Sequence, residues 1–331
     1  MEAATSAVRE PTEIKSLPRL NKRGADDIFI CSASFEERCL SSPSLMGVDF
    51  LTKYAVIFNV EEPLYKKQVE KNMFRLQTEL RKKTTEGIFV ISCQRENPVD
   101  GIQQMANILK QCKLNTDGGP YITVDISGFT KIYLLELLHF LVIERELGVP
   151  RLLHTTQRYL PTRLTRGIEQ ITTIPNYFGR PSMDKETALV IFLGFEPERA
   201  LAIWKQYNPA KTIALITNPP RTGNPDYLKY ARQNNADLLA KPSVGVRDVP
   251  ADNPYAAKKV LEAIYDETKD SFNMVIGPFG TKPQIVGVFL FCREHRKVQV
   301  IYSFPATYTR SYLQREPGAT LLLPVTPEAA V

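Results

Sequence analysis

The sequence predicts an α/β protein made of two tandem Rossmann-like units, each built on a parallel sheet with a β-hairpin appendage, and related by a pseudo-twofold. Three observations carry that expectation. The stretch Ile28-Phe29-Ile30-Cys31-Ser32-Ala33-Ser34-Phe35-Glu36-Glu37-Arg38-Cys39-Leu40 returns as Leu189-Val190-Ile191-Phe192-Leu193-Gly194-Phe195-Glu196-Pro197-Glu198-Arg199-Ala200-Leu201, with one residue inserted. A second pair follows in the same order: Thr123-Val124-Asp125-Ile126-Ser127-Gly128-Phe129-Thr130-Lys131 against Val275-Ile276-Gly277-Pro278-Phe279-Gly280-Thr281-Lys282. Phe35 to Lys131 is 131 − 35 = 96 residues and Phe195 to Lys282 is 282 − 195 = 87, so the copies have similar size. Third, short β-rich apolar runs alternate with amphipathic stretches of helix length, the pattern of strands joined by crossover helices.

Taken in order, residues 1–25 are polar and interrupted by Pro11 and Pro18, and read as a tail. The first unit spans 26–157, with strands expected at 28–32, 54–58, 87–92, 121–125 and 151–154. Its helices are expected from 36 onward and at 63–81, 99–111 and 131–146. A connector at 158–187 carries Arg158, Arg163, Arg166 and Arg180, with Glu169 the single acid as far as Arg180. The second unit, 188–331, has strands expected at 188–193, 212–217, 238–241, 273–276 and 298–302. Its helices are expected at 198–206, 225–234, 254–267 and 283–293, several opening on proline, whose missing N–H costs nothing in a first helical turn. Arg310-Ser311-Tyr312, Gly318 and the apolar run 320–325 echo Arg158-Tyr159, Gly167 and 168–174, which makes these segments matching hairpins.

Composition narrows the class. A chain of 331 residues is about two domains long, and 43% hydrophobic with 24% charged residues supports full cores. No apolar run approaches the roughly 20 residues of a membrane span, and Glu2 and Glu10 do not fit a signal peptide, so a cytoplasmic protein is expected. Five cysteines without a Cys-x-x-Cys pair, and three histidines at no metal-ligand spacing from them, read as reduced thiols with no metal and no cofactor. A net charge of +6 allows an anionic partner, a nucleotide or a nucleic acid, without requiring one.

Ligands of doubly wound sheets gather where strands run into helix N-termini, and both repeated motifs fall at such turns. In the first loop, Ser34, Glu36 and Arg38 are candidate ligand residues; the alternative is a capping box closed by Glu37 three residues after Ser34. Asp125, Ser127, Thr130 and Lys131 follow a β run and precede a strongly apolar helix. Turn amides, two hydroxyls, a helix dipole and an ammonium group converge there on a small anion, phosphate fitting best. Thr281 and Lys282 repeat that turn, with Ile276 and Pro278 in place of the Asp and Ser. His154, at a strand end near this cleft, is the one histidine marked for testing.

Asp-x-Ser-x-x-x-Lys after a strand, spelled Asp125, Ser127 and Lys131, resembles the second signature of CRISPR-associated Rossmann-fold (CARF) domains. The tandem arrangement is similar to that of the related SAVED domains, which fuse two such units in one chain. The resemblance, covering about 26 to 326, implies a sensor of cyclic oligonucleotides in prokaryotic antiviral defence, with the ligand between the two units. It also implies a separate effector chain, because no nuclease, protease, membrane or TIR segment is read here. Binding is thus favoured over catalysis. A metal-independent phosphodiesterase of the ring-nuclease kind stays open, since hydroxyls and lysines suffice to align a ribose 2′-hydroxyl. A third reading is a non-catalytic partner in a defence or nucleic-acid complex, with the arginine-bearing hairpins as its surface.

Overall fold

A computed structural model describes residues 10–15, 25–47, 51–116, 119–157, 163–218, 227–309 and 316–325. After the short β1 (Thr12–Glu13), five parallel strands build the first sheet: β2 (Asp26–Ala33), β3 (Thr52–Val60), β4 (Thr84–Cys93), β5 (Ile122–Asp125) and β6 (Arg151–Gln157). Continuous apolar runs suit this position because both faces are covered. Alternation within β2 shows it: Ile28 and Ile30 join the core on one face, Phe29 and Cys31 the core on the other.

Between these strands run the helices α1 (Ser41–Ser44), α2 (Lys66–Arg81), α3 (Pro98–Gln111) and α4 (Lys131–His139). The helix expected from residue 36 opens as a single 3-10 turn, Glu37–Leu40, before α1. The expected 131–146 helix leaves α geometry at Phe140, where a π turn, Phe140–Glu144, ends it.

The strands β7 (Thr165–Thr173), β8 (Glu186–Leu193), β9 (Lys211–Asn218), β10 (Val244–Pro250), β11 (Phe272–Pro278) and β12 (Gln299–Tyr308) form the second sheet. Its connecting helices are α5 (Pro197–Tyr207), α6 (Tyr227–Asn234), α7 (Ala236–Leu239), α8 (Pro254–Thr268) and α9 (Lys282–Glu294). The order β6-β5-β2-β3-β4 in the first sheet recurs as β12-β11-β8-β9-β10 in the second, which is the tandem repeat in three dimensions. One strand was misplaced: 238–241 is the end of the short helix α7 and the turn after it, and the edge strand is β10. Leu238 and Leu239 imitate a strand run. The true strand contains Gly245, Arg247, Asp248 and Pro250, residues depleted from strands and tolerated here because β10 is an edge.

The appended strands depart from expectation in a more informative way. β13 (Pro317–Leu322) pairs antiparallel with β6 of the first sheet, while β7 pairs antiparallel with β12 of the second. Neither strand folds back as a hairpin on the strand before it. Each crosses to the opposite sheet, a reciprocal exchange that ties the units together. Arg158, Tyr159, Arg310, Ser311 and Tyr312, which anchored the hairpin reading, lie outside the described residues. Within the expected tail, β1 pairs with β13 and Ile14 is buried.

One apolar cluster runs through both units, taking Leu134, Leu137 and Leu138 from α4 and Ile285, Phe289 and Leu290 from α9. These two helices pack together and are apolar on nearly every face, as helices at the centre of a protein must be. Each begins with a lysine. The packing therefore brings Lys131 and Lys282 to one end of a shared core.

All five cysteines are unbridged thiols, four of them buried. Among the described residues no helix is long and apolar enough to cross a membrane.

Candidate functional site

The strand ends of both units open on one cavity of about 130 Å³. Of the residues marked in the sequence, Ser34, Glu36, Arg38, Thr130, Lys131, Thr281 and Lys282 line it. Asp125 and Ser127 are buried beneath it and hold the turn: Asp125 Oδ1 accepts the Ser127 N–H at 2.8 Å, and Ser127 Oγ accepts the Thr155 N–H at 2.8 Å. Burial pushes the Asp125 carboxyl above its ordinary range, against the lowering effect of the Ser127 hydrogen bonds. Gly128 is required here, since a Cβ would stand 2.1 Å from the Ser32 carbonyl oxygen on β2.

The capping box weighed as the alternative for the first loop does not form. Ser34 Oγ accepts the Glu36 N–H at 3.2 Å, a turn within the loop, and Glu37 points outward to Arg75 at 3.5 Å. Asn72 on α2 donates to the Ser34 carbonyl at 2.8 Å and fixes the loop from behind. Arg38, buried like Cys39 and Leu40 in the same tight turn, is ion-paired with Glu36. The second loop repeats that pair as Glu196 with Arg199, both buried.

The lysines then cross between units. Lys131 Nζ donates to Glu196 Oε2 at 2.8 Å, and Lys282 Nζ donates to the Ser127 carbonyl at 2.7 Å. Their electrostatics differ. Burial lowers the Lys131 ammonium, an effect Glu196 partly offsets. For Lys282, burial and then Arg38 push the amine down to about 7. Glu196 goes the other way: burial alone would raise it, yet Arg199 and Lys131 hold its carboxyl at about 2.

Sequence reasoning passed over Glu196 and Arg199 as site residues although the repeat pointed to them, one residue out of step because of Pro197. It also missed the aromatic walls. The Arg199 guanidinium lies 4.7 Å from the ring centroids of both Phe279 and Tyr302, and Lys131 Nζ lies 5.8 Å from that of Phe279. Phe35 packs on Tyr65 at 4.5 Å and on Tyr308 at 5.6 Å, while Phe195 packs edge-to-face on Tyr227 at 4.6 Å. Tyr308, at the end of β12, belongs by strand to the second sheet and by contact to the first.

The two helix starts are finished differently. Thr281 Oγ accepts the Gln284 N–H at 3.4 Å while Gln284 Oε1 accepts the Thr281 N–H at 2.8 Å, a complete capping box at α9. At α4 the Thr130 side chain makes no capping bond, and its Oγ is buried without a hydrogen-bond partner. The first amides of α4 and its dipole are thus left for something else.

His154 lies on β6, buried, with Nδ1 unpartnered; burial and then Arg38 and Lys282 keep it well below the ordinary histidine value, hence neutral. His139 is held in the core edge-on to Tyr177. Elsewhere, Glu262, Glu294 and His295 come within metal-ligand reach of one another, but the Lys258 amine pairs with both acids.

No family model matches the chain, and no curated protein matches its sequence. Among solved structures, a Type III CRISPR defence DNA nuclease activated by cyclic oligoadenylate aligns with 82% of this chain at 9% identity and TM-score 0.47. The chain spans 65% of that nuclease's length. The cytoplasmic domain of a prokaryotic cation chloride cotransporter aligns with 85% of this chain and 96% of its own, at 9% identity and TM-score 0.23. A protein of unknown function from Pseudomonas aeruginosa PAO1 aligns with 85% of this chain and 93% of its own, at 11% identity and TM-score 0.24.

Proposed function

We propose that this chain is a sensing module for an anionic nucleotide signal, a cyclic oligonucleotide first among candidates, which passes the signal to a separate effector chain. The observation that carries it is the uncapped start of α4, with Lys131 beside it, facing a cavity walled by both units. Free helix amides, a positive dipole end and a lysine ask for an anion, and phosphate matches them. The flanking rings of Phe35, Phe195, Phe279 and Tyr302 offer flat apolar surface of the kind on which bases stack. The Asp125, Ser127 and Lys131 motif points to the same ligand class.

At about 130 Å³ the cavity is close to one that takes a single benzene-sized group, roughly 150 Å³, so a ring of nucleotides does not fit without movement. The contact to open is Lys131 with Glu196, because an incoming phosphate competes with that carboxylate for the lysine and for Arg199. A ligand that binds the opened form better shifts the population toward it, and that shift is the signal. Ser34, Glu36, Arg38, Thr130, Lys131, Thr281 and Lys282 belong to the binding surface in this reading, and Asp125 and Ser127 to its scaffold.

Calorimetry with a panel of cyclic and linear oligonucleotides tests it. Removing Lys131 forfeits about 1.5–3 kcal/mol of charge-assisted hydrogen bonding, so Lys131→Ala should weaken the ligand roughly tenfold or more. No binding by the wild type, or equal binding by Lys131→Ala, defeats the proposal. Chromatography of the ligand after incubation separates a sensor, which returns it intact, from a phosphodiesterase.

A further inference from the structure

Lys282 is placed unlike any other lysine described in the chain. Lys282 is half-buried at the cavity wall, where its amine donates to a neutral acceptor, the Ser127 carbonyl at 2.7 Å. No carboxylate oxygen of the described residues lies within 4.0 Å of it, whereas Lys131 has Glu196 at 2.8 Å. The charged and titratable groups around it are Arg38 and Glu36 from the first loop, Lys131 from α4, Asp125 from the end of β5 and His154 from β6. Two of these neighbours are cations; of the two acids Glu36 is ion-paired with Arg38 and only partly offsets them, Asp125 is pushed up by burial, and His154 is held well below its ordinary value. Partial burial at the cavity wall and the cations beside it favour the neutral amine, the form in which a lysine is a nucleophile.

We propose that Lys282 is a nucleophilic amine that captures small anionic carbonyl compounds, 2-oxo acids and glyoxylate-like aldehydes, as an imine. The fall of its proton affinity to about 7 leaves close to half of it unprotonated at neutral pH. The cavity, about 130 Å³, admits a molecule of several heavy atoms, and Lys131 and Arg199 line the same space and supply cationic partners for its carboxylate. In the step itself the nitrogen lone pair forms a C–N bond to the carbonyl carbon, and the oxygen takes up the proton the nitrogen releases. The carbinolamine then loses water to give C=N. One amine and one carbonyl become one imine and one water, with no change of oxidation state. This capture does not depend on a nucleotide occupying the cavity, so it stands or falls separately from the sensing role.

The test is reductive trapping. The full-length protein is treated at pH 7 with glyoxylate and cyanoborohydride, which converts any imine to a stable secondary amine, and modified lysines are located by peptide mass mapping. Lys282 should be modified at least about tenfold faster than the exposed lysines, whose ordinary value near 10.4 keeps them protonated. Lys282→Arg should lose that fast site, and Lys82→Arg, at an exposed lysine just past α2, should keep it. In the wild type alone, the Lys282 rate should level off above about pH 7 while the exposed lysines continue to speed up toward pH 10. Modification of Lys282 at or below the rate of the exposed lysines, or a rate that climbs with theirs to pH 10, overturns the proposal, and neither readout needs a variant that folds.

Discussion

The turn after β5 and the turn after β11 occupy equivalent places in the two sheets, yet they solve the same problem with different residues. In the first, Asp125 and Ser127 brace the backbone from below, Gly128 lets it press on β2, and the helix start is left uncapped. In the second, Ile276 and Pro278 take the bracing positions and Thr281 with Gln284 seals the helix start. The lysines follow suit: Lys131 is matched by a carboxylate that partly offsets the lowering by burial, whereas Lys282 meets a carbonyl and is pushed down to about 7. Repetition preserved the topology and left the polar pairing free to diverge, because strand order depends on apolar burial whereas pairing depends on single side chains.

The largest expected effect comes from the carboxylates. Glu196→Ala strands Lys131 and Arg199 in the interior, and breaking such a buried pair costs about 3–5 kcal/mol, read as a shift in the urea unfolding midpoint. Glu36→Ala, at a less buried position, should cost clearly less; equal losses would mean the two loops are energetically alike. Because Glu196 titrates at about 2 in the folded state and near 4.3 when unfolded, its stabilisation is present above pH 4.3 and is lost as pH falls through 2.

Next come the glycines. Gly128→Ala drives a methyl group into the Ser32 backbone and should cost about 1–3 kcal/mol or more, while the Cβ of Gly280→Ala meets Gln284 Oε1, a side-chain atom that can shift only by giving up the α9 capping box, and should cost somewhat less. Thermal melts of the two variants rank them, and the reverse order would show that the turn after β5 has room to adjust.

The caps separate stability from binding. Thr281→Ala should lose about 1 kcal/mol of stability. Thr130→Ala should leave the melting temperature nearly unchanged and weaken an anionic ligand in calorimetry. A Thr130→Ala melt shifted as far as that of Thr281→Ala would show a cap at α4 after all.

The last effect is one of pH. Between about 7 and 10.4 the unfolded chain holds a proton on Lys282 that the folded protein has given up, so this residue makes stability rise with pH across that window. Lys282→Met should flatten the rise in a series of urea titrations. An unchanged slope would return Lys282 to the status of an ordinary charged lysine.

Much of this was legible in advance. The positions of most strands and helices followed from apolar runs of period two and amphipathic stretches, and the repeat placed Lys131 and Lys282 at matching turns. The failure at 238–241 was local: two leucines outweighed the weak strand signal of a Gly- and Pro-bearing edge. The capping box of Ser34 and Glu37 failed because Ser34 spends its oxygen on the next turn of its own loop. Glu196 and Arg199 were visible in the repeat, but nothing local revealed that Lys131, 65 residues before Glu196, would pair with that carboxylate.

What the sequence determined by itself is the order of elements and the presence of two similar α/β units, since burial patterns repeat every two or 3.6 residues and need no knowledge of distant neighbours. Only the tertiary structure decided that β7 and β13 trade sheets, that the lysines reach across, and that one meets a carboxylate and the other a carbonyl. Such outcomes turn on contacts between residues as far apart as Lys282 and Ser127, 155 positions in the chain, where the partner and its burial are set by packing and not by any local pattern.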